Sequence, residues 1–306
     1  MIDVKDLTKK FGDVLAVENL TFRVDEGEVF GLLGPNGAGK TTTIRMLCCL
    51  ISKTSGEAKV AGYEIGTEAD CLKIRKVIGL VPDNVGLFDE LSAYENLDYY
   101  GKLYECSQQE RKENIKYFLQ LLDLWDKRDQ PVGGFSKGMK QKVSIARALI
   151  HQPELLFFDE PTANLDPESS RVVRDIILQL KKEGKTIFIN THNLDEAQRI
   201  CDRIGILKTK LLAINTPEQL EQSVWGSKTL IQVEKMNAAI LAAVKKRSPK
   251  GLAVDGNKII LDVTNPMKEN PDFVQSIVSA GGRVQAVTQW NPGLEETYLK
   301  VIKETK

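Results

Sequence analysis

The segment that most limits this chain is Phe30 to Thr41, FGLLGPNGAGKT. A short apolar run ends in a loop that fits GxxxxGK[ST], and an amphipathic stretch, KTTTIRMLCCL, follows. Strand, glycine-rich loop and helix in that order make a cradle for phosphate. Glycines let the backbone turn tightly, and several N–H groups then converge on one anion. The spacing places Gly34, Pro35, Asn36, Gly37, Ala38 and Gly39 in the cradle. Lys40 is expected on the β and γ phosphates, the Thr41 hydroxyl on Mg²⁺, and the Thr42 N–H toward the phosphates. The competing reading is a glycine-rich turn without a ligand, which the flanking strand and helix disfavour.

Such a loop needs an acid at the end of another parallel strand. ELLFFDEP (Glu154 to Pro161) supplies one. Asp159 is expected to hold Mg²⁺ through water, and Glu160 to polarise the attacking water as general base. The competing reading is a charged strand end capping a turn. KTIFINTH (Lys185 to His192) is a third buried strand, ending on His192. Helix-like stretches follow, ESSRVVRDIILQLKKEG and NLDEAQRICDR. This alternation predicts an α/β domain over residues 1–215, a parallel sheet flanked by helices.

Between about Asp83 and Ile150 the periodicity is helical, as in YENLDYYGKLYECSQQERKENIKYFLQLLDLW, with no strand. A helical subdomain is expected there. It contains GGFSKGMKQK (Gly133 to Lys142), with a serine and glycines ahead of VSIARALI, which reads as the start of a helix. Serine and glycine before a helix direct backbone N–H groups at an anion. Residues 216–306 read as helix, then strand, helix, strand, strand, helix, strand, helix. That order predicts a small α+β domain of split βαβ type.

Composition excludes several functions. Lys+Arg and Asp+Glu both number 42, so no net charge points to nucleic acid. Cys48, Cys49, Cys71, Cys106 and Cys201 are scattered, odd in number and never spaced as CxxC. That excludes a disulfide framework and a zinc site. Cys48 and Cys49 read as packing, and His151 as a surface residue. MIDVKDLTKKFGD lacks the apolar core of a signal peptide, and no apolar run reaches the roughly 18 residues of a membrane span. Any membrane role must come through a partner.

The ordered motifs resemble the ATP-binding subunit of an ABC transporter, from Val4 to about Asn215. Phe11 in KKFGDVLAVENL resembles the aromatic that stacks on adenine. Gly34 to Thr42 resemble Walker A, VPDNVGLFDELSAYENL the Q-loop, and GFSKGMKQKVSIARAL the signature. LLFFDEPTANLDP resembles Walker B, catalytic glutamate and D-loop, and INTHNLDEA the switch-histidine segment. The resemblance implies a P-loop NTPase core: a mixed sheet with flanking helices, an antiparallel β edge and a helical subdomain. It implies ATP and Mg²⁺ as ligands, with His192 sensing the γ-phosphate. It also implies a head-to-tail dimer of two copies, in which Ser136, Lys137, Gly138 and Asp166 of one subunit meet the ATP held by the other.

The chain departs from the family pattern in three places. FSKGM stands for LSGGQ, so Lys137 replaces a glycine and either grips phosphate or stands in water. Asp83 occupies the glutamine position of the Q-loop; it contacts Mg²⁺ or serves as a turn residue. Ala163 and Asn164 stand in the D-loop where serine and glycine are frequent. TPEQLE and NPGLEETYLKV resemble drug- or sodium-exporter ATPases, whose partners are integral membrane permease subunits of the ABC-2 class. The chain is then expected at the cytoplasmic face of the cell membrane, powering export. A ribosome-acting relative would carry two ATPase cores, and a DNA-repair relative a long coiled coil; neither is present. A nucleotide sensor without hydrolysis would not need Glu160 and His192.

Overall fold

The computed structural model describes residues 1–247, 251–290 and 292–304, and the chain divides into two compact units, Met1–Thr216 and Pro217–Lys306. The first unit opens with β1 (Ile2–Phe11) and β2 (Val14–Val24), paired antiparallel around Gly12. Gly12 takes a φ of 54°, a region open to a residue without Cβ. Side chains of β1 and β2 mix buried and exposed positions, as in a sheet packed on one face. β3 (Val29–Leu33) differs in being buried throughout, and it feeds α1 (Lys40–Leu47) through the glycine-rich loop. β4 (Ser55–Val60) and β5 (Tyr63–Glu64) complete an antiparallel sheet of order β2-β1-β4-β5. α2 (Glu68–Val77) is capped by Thr67 and leads into β6 (Ile78–Val81).

The helical subdomain holds α3 (Ala93–Leu103), α4 (Gln108–Leu121) and α5 (Lys137–Leu149). Ser92 and Ser107 open α3 and α4 with capping boxes closed by Glu95 and Glu110. The apolar run VSIARALI suggests that α5 starts near Val143, but it starts at Lys137. The Ser136 hydroxyl accepts the Met139 N–H at 3.2 Å, so the cap lies at the serine and the polar first turn is helical. His151, expected at the surface, is largely buried. Its ring stacks on Tyr104 at 3.7 Å, and Nε2 donates to the Ile78 carbonyl at 2.9 Å. Burial pushes its pKa down to about 4, so the ring is neutral with its proton on Nε2. Nothing in IHQPEL gives His151 a partner; a ring contributed by the end of α3 covers it.

β7 (Leu155–Asp159), α6 (Pro167–Lys182), β8 (Thr186–Thr191), α7 (Leu194–Ile200), β9 (Arg203–Lys208) and β10 (Lys210–Asn215) finish the unit. The main sheet has the order β10-β9-β3-β8-β7-β6, parallel except for β10 against β9. β7 and β8 are buried at every position, which explains their unbroken apolar sequences. Phe22 of β2 stacks on Phe30 of β3 with centroids 5.4 Å apart, and Phe30 and Phe157 both pack on Phe188. These rings join the two sheets in one core, each pair adding about 0.5–1.5 kcal/mol beyond its buried area. Because β3, β7 and β8 run parallel, their C-terminal ends share one edge, where ligands bind in such sheets.

The second unit begins with α8 (Pro217–Trp225). β11 (Lys228–Val233), α9 (Ala238–Arg247), β12 (Leu252–Asp255), β13 (Lys258–Asp262), α10 (Pro266–Ser279), β14 (Val284–Gln289) and α11 (Leu294–Glu304) follow. Its sheet has the order β12-β13-β11-β14 with every neighbouring pair antiparallel, the split βαβ arrangement. Ile231, Ile240, Ile259, Leu261, Phe273 and Ile277 anchor a separate core. α8 packs on α11, where Trp225 Nε1 donates to Thr297 Oγ1 at 3.0 Å. Asn291, the first residue of NPGLEETYLKV, lies outside the described residues.

Candidate active site

The cradle is built by backbone that only glycine suits. Gly37 and Gly39 take φ of 80° and 100°. A Cβ on Gly39 would lie 2.4 Å from the Ala16 carbonyl, and one on Gly34 would lie 2.3 Å from that of Leu207. The loop is pinned from behind, since Thr209 N–H donates to the Ala38 carbonyl at 2.9 Å. Gly39 caps α1 with no side-chain acceptor, and no acid stands in the first turn. The free N–H groups and the positive end of the helix dipole therefore face an incoming anion. Lys40 lies inside the loop, its ammonium donating to the carbonyls of Gly34 and Pro35 at 2.8 and 3.2 Å. Burial pushes its pKa down, while Glu160 and Asp159 pull it back up.

Asp159, at the end of β7, is 5% exposed. Thr41 Oγ1 donates to its Oδ1 at 3.1 Å, and the Asn190 amide donates to the same oxygen. Burial pushes the Asp159 carboxyl up; the bonds from Thr41 and Asn190 hold it down, and the charge of Asp83 raises it again. Asp83 itself is exposed in the loop after β6. A hydroxyl and carboxylates are hard oxygen donors suited to Mg²⁺, which takes few protein ligands and completes its shell with water and substrate phosphate. Among the described residues no cluster of three or more His, Cys, Asp or Glu could hold a metal by itself. The donors present thus fit a magnesium ion shared with a nucleotide.

Glu160 follows Asp159 with a φ of 53°, a strained value for a residue with a side chain. Its N–H donates to the Asn190 carbonyl at 2.8 Å. This turn swings the carboxylate toward His192, whose Nδ1 lies 2.7 Å from Oε2. The other oxygen lies 3.9 Å from the Lys40 ammonium. Lys40, Thr41, Asp159, Glu160 and His192 are thus drawn together from three strand ends. Phe11 stands at the end of β1, 49% exposed, with the Lys9 ammonium 4.7 Å from its ring centroid.

The signature residues form a second group. Ser136 caps α5, Lys137 is exposed, and Gly138 is buried against α6. A Cβ on Gly138 would lie 2.3 Å from Ser169 Oγ. Asp166 caps α6 by accepting from the Ser169 N–H and hydroxyl at 2.8 and 2.6 Å, and these bonds hold its carboxyl below the usual range. Ser169 therefore links Gly138 to Asp166. Among the described residues, no hydrogen bond or ion pair joins Ser136, Lys137 or Gly138 to the Gly34–Thr42 loop.

Three residues escaped the sequence reading. Gln141 Nε2 donates to the Pro161 carbonyl at 2.9 Å, tying α5 to the segment after Glu160. Glu196 is fully buried and accepts from Thr162 at 2.7 Å, tying that segment to the start of α7; burial pushes its carboxyl up. Asn190 holds both Asp159 and Thr41. The available signal for Asn190 was a lone amide closing the apolar run IFIN, two residues before His192.

An ABC transporter family model matches residues 17–163. The linearmycin resistance ATP-binding protein LnrL of Bacillus subtilis (strain 168) is 38% identical over 248 residues, covering 80% of this chain and 79% of that protein. Nod factor export ATP-binding protein I of Rhizobium sp. (strain N33) is 36% identical over 301 residues, covering 98% and 96%. Among solved structures, the dimeric post-hydrolysis state of the ATP-binding cassette MJ0796 with ADP and Pi superposes with a TM-score of 0.64 at 28% identity. That match covers 71% of this chain and 98% of the other.

Proposed function

This chain belongs to the ABC transporter family as an ATP-binding, ATP-hydrolysing subunit, and from that premise we propose how its residues divide the work. The observation that carries the proposal is the convergence of Lys40, Thr41, Asp159, Glu160 and His192 at one sheet edge. The loop N–H groups and Lys40 bind the phosphates of ATP, and Phe11 receives the adenine. Thr41 and Asp159, with Asp83 beside them, would hold Mg²⁺, which would supply charge neutralisation on the phosphates. Glu160 accepts the proton of the water whose oxygen bonds to the γ-phosphorus as the bond to the bridging oxygen breaks. ADP and phosphate leave. His192, held by Glu160, hydrogen-bonds the γ-phosphate.

Ser136, Lys137, Gly138 and Asp166 complete the site of a second copy. The separation of the two residue groups supports this, as does the dimeric state of the related cassette. ATP bound between two subunits favours the closed dimer, and hydrolysis removes the bridging charge. No helix among the described residues is long and apolar enough to cross a membrane. The motion accordingly passes to separate permease subunits at the cytoplasmic face, and the names of the resistance and export relatives support export. The second unit, Pro217–Lys306, acts as an accessory domain outside the chemistry.

Glu160→Gln tests the assignment. It should slow phosphate release by about 10²–10⁴-fold, the usual worth of a general base, and leave an ATP-dependent dimer visible by light scattering. Normal turnover would remove Glu160 from its role. Ser136→Arg should abolish hydrolysis yet leave ATP binding to the monomer; loss of monomer binding would place the signature in its own subunit's site.

A further inference from the structure

The geometry points to Asn190 as a positioning residue that sets Thr41 and Asp159 for magnesium; this rests on the metal role proposed above for those two side chains. Asn190 is fully buried at the end of β8, paired in register with Asp159 of β7. Its amide nitrogen donates to Asp159 Oδ1 and lies 3.4 Å from Thr41 Oγ1. Thr41 donates its own proton to that same Oδ1 at 3.1 Å. One carboxylate oxygen is thereby saturated. The other oxygen of Asp159 and a lone pair of Thr41 remain for a cation and its water.

The amide has only one workable orientation. Reversing it would set a carbonyl oxygen against a carboxylate oxygen. Held as it is, its own Oδ1 is buried without a partner among the described residues. An apolar side chain, like that of Ile189 beside it in β8, would leave no such orphan. The fold therefore tolerates a buried unpaired carbonyl in order to keep an NH₂ group between Thr41 and Asp159, the kind of local violation found at functional sites. The Asn190 main chain acts on the same site, since its carbonyl accepts the N–H of Glu160.

The test uses the full chain and mant-ADP as the probe. With protein saturated by the probe, Mg²⁺ is titrated and the concentration giving half of the fluorescence change is read. Asn190→Leu should raise that concentration by about 10–100-fold, the usual cost of losing a group that orients metal ligands. The mant-ADP Kd in EDTA and the melting temperature should stay those of the parent protein. Asn190→Ser, which keeps one donor, should recover part of the loss. Asn190→Ala carries the same test if the leucine variant does not fold. Thr41→Val and Asp159→Asn are run alongside. If they raise the Mg²⁺ requirement and Asn190→Leu does not, Asn190 has no positioning role. If none of the three moves it, the metal site itself is misassigned. A lowered melting temperature with an unchanged Mg²⁺ requirement would make Asn190 a packing residue.

Discussion

In the first unit, Glu160 holds a φ of 53°, and side-chain atoms of Asn190 and Glu196 are buried without partners among the described residues. In the second unit the described residues show neither feature: positive φ falls only on glycines, and buried threonines are bonded. Thr229 donates to Asn270 at 2.8 Å, and Thr297 accepts from Trp225. Both units obey the same patterning rules, and each has its own apolar core. The difference teaches where the chain departs from what folding alone would choose. Positive φ with a side chain also occurs elsewhere in the first unit, as at Asp6 and Ala61, so the mark of the site is the strain at Glu160 together with the unpartnered atom of Asn190 beside it.

The comparison breaks most readily at a pair of lysines. Lys40 is 7% exposed on its side chain and faces Glu160; Lys228, in the second unit, is 22% exposed and pairs with Asp262 at 2.5 Å. Lys40→Ala should lower kcat/KM for ATP by about 10²–10³-fold, as for loss of one group stabilising transition-state charge. Lys228→Ala should leave it within about twofold, since a partly exposed ion pair contributes little. A steady-state phosphate-release assay decides. Equal losses would mean that the second unit shares in the chemistry.

Two glycines sharpen the same contrast at lower cost. Gly138→Ala forces a Cβ to within 2.3 Å of Ser169 Oγ, and Gly282→Ala forces one to within 2.7 Å of Ile277 Cγ2. Each should lose about 1–3 kcal/mol in urea unfolding, the range for overpacking. Only Gly138→Ala should also impair hydrolysis, and Ser169→Gly in the same chain should restore part of it. If Gly282→Ala impaired turnover as strongly, stability rather than site geometry would account for both.

The sequence made much of this legible because the phosphate cradle depends on backbone geometry that glycine spacing records directly. Asp159 and His192 were legible as the polar ends of apolar strands. The start of α5 was not, because a serine cap on a polar first turn carries no apolar period. Asn190, Gln141 and Glu196 were not, because each acts on residues far away in the chain. Their partners, Asp159, Pro161 and Thr162, come within reach only when β7 and β8 pair and α5 packs beside them. The burial of His151 was not legible for the same reason, since its partner Tyr104 lies at the end of α3.

His151 gives the smallest effect and the strictest check on the comparison. It too has a buried atom without a partner among the described residues, Nδ1, yet the described contacts tie it to Tyr104 and Ile78 and not to the phosphate site. Its orphan nitrogen should therefore register in stability and not in turnover. The folded pKa, about 4, lies below the usual 6.5. Between those values the unfolded chain binds the extra proton, so stability rises with pH. The contribution is complete well above pH 6.5 and is lost as pH falls through 6.5 toward 4. From pH 6.5 to 5 the loss should be about 1–2 kcal/mol. His151→Phe keeps a ring against Tyr104 but does not titrate, so its stability should fall by that much less over the same interval. Urea unfolding of both proteins at the two pH values measures the difference. Parallel slopes would return His151 to the surface, and would leave buried orphan atoms confined to the region around the phosphate site.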